Sequence, residues 1–105
     1  MGLKVEREIQ GLTILLKLKG VLDISTSSVI DPFLDDMNDI ESLIFDFEGL
    51  EFIDSTGIGS IINAIYLAKE KGFKLFFQGV DELTEQVFET VGLYQILMTI
   101  QEEVL

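Results

Sequence analysis

The chain has 105 residues, is 48% hydrophobic, carries 19 acids against seven bases for a net charge of −12, and contains neither cysteine nor histidine. That length suits one compact domain, residues 1–105, which needs no disulfide or metal staple, and the missing donors exclude thiolate chemistry, Ser-His and Cys-His dyads, haem ligation and ordinary zinc sites. A strongly negative field repels phosphate backbones and anionic lipid headgroups, so neither nucleic acid nor membrane is an expected partner.

The chain opens with MGLKVEREIQ, which has neither an apolar core nor a small-residue cleavage site, so no signal peptide is expected. From Lys4 to Ile9 and from Thr13 to Lys19 apolar and polar residues alternate around Gly11, which predicts a β-hairpin. Asp23-Ile-Ser-Thr-Ser-Ser28 is rich in capping side chains. Val29, Ile30, Phe33, Leu34 and Met37 follow at helical spacing, predicting an amphipathic helix that ends near Asn38. Pro32 either lies in its first turn or kinks it.

Leu43, Ile44, Phe45 and Phe47 form a short apolar strand, and Phe73, Leu75, Phe76 and Phe77 another. Between them a helix buries Ile58, Ile61, Ile62, Ile65 and Ala68 or Lys69, closed by Gly72. This strand-helix-strand unit predicts parallel strands with a right-handed crossover and a sheet covered on both faces. A further helix from Glu82 to Val91 is expected to bury Leu83, Val87, Phe88 and Val91, with Gly92 as its cap, and Ile96–Ile100 to supply a last strand. Glu102–Leu105 reads as a short acidic and apolar tail. The fold class is α/β, a small mixed sheet with helices packed against it. Every apolar run stops well short of the ~20 residues that span a bilayer, which points to a soluble cytoplasmic protein.

Charge follows the chain unevenly: residues 1–20 carry four bases and two acids, residues 21–54 ten acids and no base, and residues 55–105 three bases and seven acids. A basic protein surface would be steered to the middle third, although an acidic face kept for solubility accounts for the same charge.

Glu51-Phe-Ile-Asp54-Ser55-Thr56-Gly57-Ile58-Gly59 joins the strand ending near Phe47 to a helix that begins near Gly57. Strand ends that feed helix N-termini are where α/β sheets place ligands, and the helix start favours an anion. The plain reading is that Asp54, Ser55 or Thr56 caps the helix. Against it stands the density of the segment, with two hydroxyls between an Asp and two glycines and no large side chain to shield them. A phosphate on Ser55 would add about −1.5 to −2 charges and alter a protein contact through like-charge repulsion.

This segment resembles the phosphorylation motif of the bacterial anti-sigma factor antagonists, whose single domain is called STAS. Gly20-Val21-Leu22-Asp23 is similar to the family's Gly-x-Leu-Asp turn, and Val91-Gly92-Leu93 to its Gly-Leu near the C-terminus; the resemblance spans roughly residues 3–100. It implies that Ser55 is phosphorylated by an ATP-dependent serine kinase, the anti-sigma factor, and restored by a metal-dependent serine phosphatase. The unphosphorylated form would bind the anti-sigma factor and free the sigma factor. Asp54, Thr56 and Gly57 match flanking positions of the motif, and Asp23 a loop position close to the partner surface. Two departures stand out: Val21 occupies a place where relatives often carry Glu, and Pro32 interrupts a helix usually free of proline.

The chain then reads as a substrate and binder with no catalytic residue, no metal and no cofactor of its own, since it lacks a Gly-x-x-x-x-Gly-Lys-Ser/Thr loop. A competing reading makes Asp54 a phosphatase-like nucleophile, or groups it with Asp46 and Asp23 around Mg²⁺. It lacks a base to stabilise a transferring phosphoryl group, because no Lys or Arg lies between Lys19 and Lys69. The other alternative is a STAS scaffold module in a signalling or transport complex without sigma-factor release. From the segment alone, Gly57→Val is expected to obstruct both the turn and a kinase's approach.

Overall fold

The computed structural model describes the backbone of residues 2–104 and the side chains of residues 2–99. The hairpin forms as the alternation predicts. Strand β1 (Leu3–Gln10) pairs antiparallel with β2 (Thr13–Leu22) through the two-residue turn Gly11-Leu12, in register Leu3↔Gly20 to Gln10↔Thr13. Gly11 opens that turn at φ +61°, a conformation that matches the strands' right-handed twist and that glycine adopts freely.

The next segment departs from the expected helix. A 3₁₀ turn covers Ser27–Val29, and the α-helix α1 is only Asp31–Asp35, with Pro32 in its first turn. Proline there loses no hydrogen bond, which settles the choice between start and kink in favour of a start. Ile30, Leu34 and Met37 are buried, but Val29 lies on the outer side of the 3₁₀ turn and is exposed.

Strand β3 (Ser42–Asp46) lies parallel to β2, and β5 (Lys74–Gln78) parallel to β3. The long strand β2 outruns β3. Its last residues Gly20–Leu22 pair in parallel with a separate strand, β4 (Leu50–Ile53), after a register shift at Gly20/Val21. The sheet thus has five strands in the order β1-β2-β3-β5, with β4 beside β2. Helix α2 (Ser55–Lys71) begins directly after β4 and closes at Gly72, φ +79°. Its buried stripe is Ile58, Ile61, Ala64, Ile65 and Ala68, while Lys69 is exposed.

Helix α3 (Glu82–Thr90) is followed by α4 (Leu93–Val104), which replaces the last strand expected at Ile96–Ile100 and takes in the tail as far as Val104. The reason is periodicity over a longer window: Leu93 and Leu97 are buried and Ile96 packs beside them, an i, i+3, i+4 stripe that a helix buries and a strand cannot. Phe88 of α3 is fully buried, but Leu83 and Val91 are exposed, contrary to the expected inner face. Phe45, Phe47, Phe77, Phe88 and Tyr94 form a chain of tilted and edge-on ring contacts, centroids 5.5 to 6.3 Å apart, that fastens α3 and α4 to the sheet. Burial, with the negative charge of Glu85 and Glu89, pushes the Tyr94 hydroxyl up to about 12.

The helices cover one face of the sheet only. Leu16, Leu18, Leu43, Phe45 and Leu75 point into a single core with Ile61, Ile65 and Phe88, each contributing about 1.5–3 kcal/mol by burial. On the opposite face the row Glu8, Leu15, Ile44, Phe76 remains open, where cover on both faces was expected. Ion pairs hold the hairpin side of that face: Lys17 with Glu8 at 2.9 Å, Lys19 with Glu6 at 2.7 Å. No helix among the described residues is long and apolar enough to cross a membrane.

Candidate functional site

The site lies where β2 and β4 end and α2 begins. Asp54 leaves β4 in extended backbone, φ −106° and ψ −175°, and its side chain caps α2 by accepting from the Gly57 N–H at 2.9 Å. The carboxylate's other oxygen accepts from the Ile24 N–H at 3.2 Å, tying the loop after β2 to the helix start. One side chain therefore fixes both walls of the site. Helix α2 starts at Ser55, two residues before the expected Gly57, because β4 delivers the chain in register for Asp54 to cap.

With the cap supplied by Asp54, Ser55 and Thr56 are free of that duty. Ser55 is exposed at the first helical position and Thr56 half-buried at the second. Among the described residues neither hydroxyl makes a hydrogen bond and neither backbone N–H has a partner, so both amides remain open toward an anion. Gly59 stands one turn on from Ser55 on the same face, exposed, with open space where a side chain would project. An exposed glycine inside a helix costs about 1 kcal/mol relative to alanine, and here it keeps the approach to Ser55 bare. Gly57 differs. It is buried, and a Cβ there would meet the Leu22 carbonyl oxygen at 2.5 Å, so it acts by letting α2 sit against β2.

Asp23 organises the facing loop. One of its carboxylate oxygens accepts from the Ser25 hydroxyl at 2.7 Å and the Ser25 N–H at 2.9 Å, and these bonds hold its carboxyl below the usual range. Thr26 is buried, accepting from the Asp23 N–H at 2.9 Å and donating to the Val21 carbonyl at 2.8 Å. The loop so built holds Ile24 out into solvent, 77% exposed, beside the cap. Sequence reading passed over Ile24; its signal is a lone β-branched residue inside a polar capping run. The structure therefore brings Asp23, Asp54, Ser55 and Thr56 to one end of the sheet.

Asp46 does not join them. It is buried, accepting from the Glu48 N–H at 2.9 Å and from the Gln78 amide at 3.2 Å, which uses both its oxygens to shape the turn between β3 and β4. Among the described residues no three carboxylates converge as a metal cluster. Asp54→Ala is expected to lower stability by about 1–2 kcal/mol, through loss of the cap, with the loop at Ile24 released as well. Urea unfolding measures the first effect and faster amide exchange at Ile24 the second.

Three comparisons bear on this arrangement. The STAS domain family model matches residues 4–104. The anti-sigma F factor antagonist of Paenibacillus polymyxa is 26% identical over 107 residues, covering 99% of this chain and 92% of that protein. The phosphorylated form of the Bacillus cell fate determinant SpoIIAA superposes with a TM-score of 0.69 at 21% identity, over 89% of this chain and 86% of the other. A sulfate transporter family protein from Wolinella succinogenes superposes with a TM-score of 0.76 at 15% identity, over 86% of this chain and 75% of the other. The match along nearly the whole chain and the shared mixed-sheet fold lead to one assignment: this protein belongs to the STAS domain family.

Proposed function

We propose that the protein is an anti-sigma factor antagonist that binds an anti-sigma factor with serine kinase activity, and that phosphorylation of Ser55 ends the contact. The observation that carries this reading is the division of labour at the start of α2: Asp54 caps the helix, and Ser55 is left exposed with an unengaged hydroxyl. A hydroxyl needed as a cap would resist modification; this one costs the fold nothing to modify. Bare Gly59 on the same face leaves room for a kinase. SpoIIAA, a protein of similar fold, is known in phosphorylated and unphosphorylated forms, which supports the compatibility of this architecture with such a modification.

The switch works by charge. A phosphate of about −1.5 to −2 at Ser55 would find the open amides of the first turn on its own chain, and would stand beside the Asp54 carboxylate within an acidic surface. The partner contact loses because an anion now occupies an interface built for a neutral hydroxyl, and like charges brought together cost several kcal/mol. The chain itself supplies no catalytic group: ATP comes with the partner kinase, and a serine phosphatase resets Ser55. Asp23, Ile24, Asp54 and Thr56 form the surrounding contact surface, and the exchange takes place in the cytoplasm.

Similarity to a sulfate transporter family protein favours one second reading, a scaffold module within a larger assembly. Co-purification separates the two. Ser55→Ala, as bait in an extract of the native host supplied with ATP, is expected to retain a serine kinase that the unaltered chain releases. Recovery of membrane transporter subunits without a kinase would contradict the proposal.

A further inference from the structure

Helix α3 carries an apolar stripe that the described residues bury only at its middle, where Val87 packs against the core. Leu83, Val87 and Val91 recur every four residues along its outer side, the spacing of a face made for packing. Yet Leu83 is 72% and Val91 44% exposed, and Val87 is only half-buried. Phe52 of β4, 55% exposed, lines with Leu83 and Val87 a depression of about 220 Å³ between β4 and α3, and the same Leu83 and Val87 line a second one with Val91, so the two adjoin as one groove. Contiguous exposed apolar side chains of this size mark contact surfaces on soluble proteins.

The charge around the groove identifies what would cover it. It is made from two stretches of chain, residues 20–68 and 75–105, that contain no lysine or arginine at all. Its rim carries Glu51 and Asp81, with Glu82 next in sequence, and no lysine or arginine among the described residues that line it. Four of the seven bases, Lys4, Arg7, Lys17 and Lys19, belong to the hairpin, where each pairs with an acid. A second copy of the chain, at −12, would be repelled from such a rim. The groove lies next to the candidate site along the chain, since Phe52 and Ile53, which line it, directly precede Asp54 and Ser55.

We propose that the Phe52–Leu83–Val87–Val91 groove is a second contact surface for the anti-sigma factor, taking an apolar projection of that partner flanked by lysine or arginine side chains. This rests on the anti-sigma factor reading above. It would hold the partner by apolar burial and charge complementarity while Ser55 supplies the switch, dividing affinity from regulation between two adjacent surfaces.

The test titrates the purified kinase recovered with the Ser55→Ala bait against unphosphorylated variants of the full chain. Leu83→Lys and Val91→Lys are each expected to bind at least tenfold more weakly, Leu83→Met within threefold of the parent, and Met98→Lys, an exposed apolar position on α4, unchanged. Circular dichroism confirms folding, which these exposed positions should not disturb. If Ser55→Asp weakens binding but both α3 lysine variants bind within threefold of the parent, the groove proposal is overturned and the switch stands. If the lysine variants weaken binding and Ser55→Asp does not, the groove stands and the switch falls. If none of them weakens binding, both fall.

Discussion

Gly57→Val is expected to destabilise the fold by about 3 kcal/mol or more, and Gly57→Ala by about 2 kcal/mol, because added atoms at a packed position force backbone shifts. The Cβ alone would lie 2.5 Å from the Leu22 carbonyl oxygen, 2.8 Å from Cγ1 of Ile53 and 2.9 Å from Cγ of Leu22. The first contact is the decisive one, since that oxygen also accepts the Asp54 N–H at 3.2 Å and cannot retreat without loosening the cap residue. Valine adds two more methyl groups to the same space. Gly59→Ala is the control: nothing lies within 4 Å of its Cβ, so alanine is expected to stabilise α2 by up to about 1 kcal/mol. Urea denaturation reads all three as shifts of midpoint at constant slope. An unchanged midpoint for Gly57→Ala would contradict the close seating of α2 on β2. From the sequence, a side chain at Gly57 is expected to obstruct both the turn and a kinase's approach; its burial against Leu22 and Ile53 puts the packing effect first.

Ser55→Asp is expected to weaken binding to the anti-sigma factor at least tenfold, about 1.4 kcal/mol, with little change in stability. The two halves of that expectation come from one geometry. Toward its own chain, a carboxylate at the first helical position meets the positive end of the α2 dipole, worth a few tenths of a kcal/mol, which offsets repulsion from Asp54. Toward a partner it adds to existing negative charge, because Ser55 is exposed in a stretch, residues 20–68, that holds ten acids and no base. Thr56→Asp is the useful contrast, being half-buried and one position on, and is expected to cost stability as well as binding. Calorimetric titration gives the affinity and thermal unfolding the stability. Ser55→Asp binding as tightly as the parent would remove charge at this position as the switch.

Much of the scaffold was legible because its patterns are long. The hairpin's alternation and the Ile58, Ile61, Ile65, Ala68 stripe fix β1, β2 and α2 by period alone, and Gly72 closes α2 in the left-handed conformation that suits glycine. The short strands β3 and β5 are legible too, from their apolar runs, but β4 and α4 are not. Strand β4 has four residues with Glu51 and Phe52 both exposed, so no alternation marks it, and only pairing with the end of β2 makes it a strand. Ile96–Ile100 looked like a strand because five apolar-rich residues fit either period; Leu93 and the aromatic contacts of Tyr94 decide for helix.

At the candidate site, the sequence points to a strand-to-helix junction, but the strand that feeds α2 is β4 rather than the one ending near Phe47, and the cap could not be chosen. Asp, Ser and Thr are near-equal capping residues, and the register imposed by β4 selects Asp54. The same register holds Ile24 against the cap, a contact across 30 positions of chain that no local pattern encodes. The stripe on α3 differs in the opposite way: the period is legible, and Val87 and Phe88 meet the core, but Leu83 and Val91 find no cover among the described residues.

The most direct measurement is phosphosite mass spectrometry on the chain incubated with ATP, first alone and then with kinase-containing extract of its native host. A single phosphate, on Ser55 and only in the presence of extract, is the predicted result. No phosphate on the chain while a control substrate is phosphorylated, or a phosphate on Thr56 with Ser55 unmodified, would contradict it.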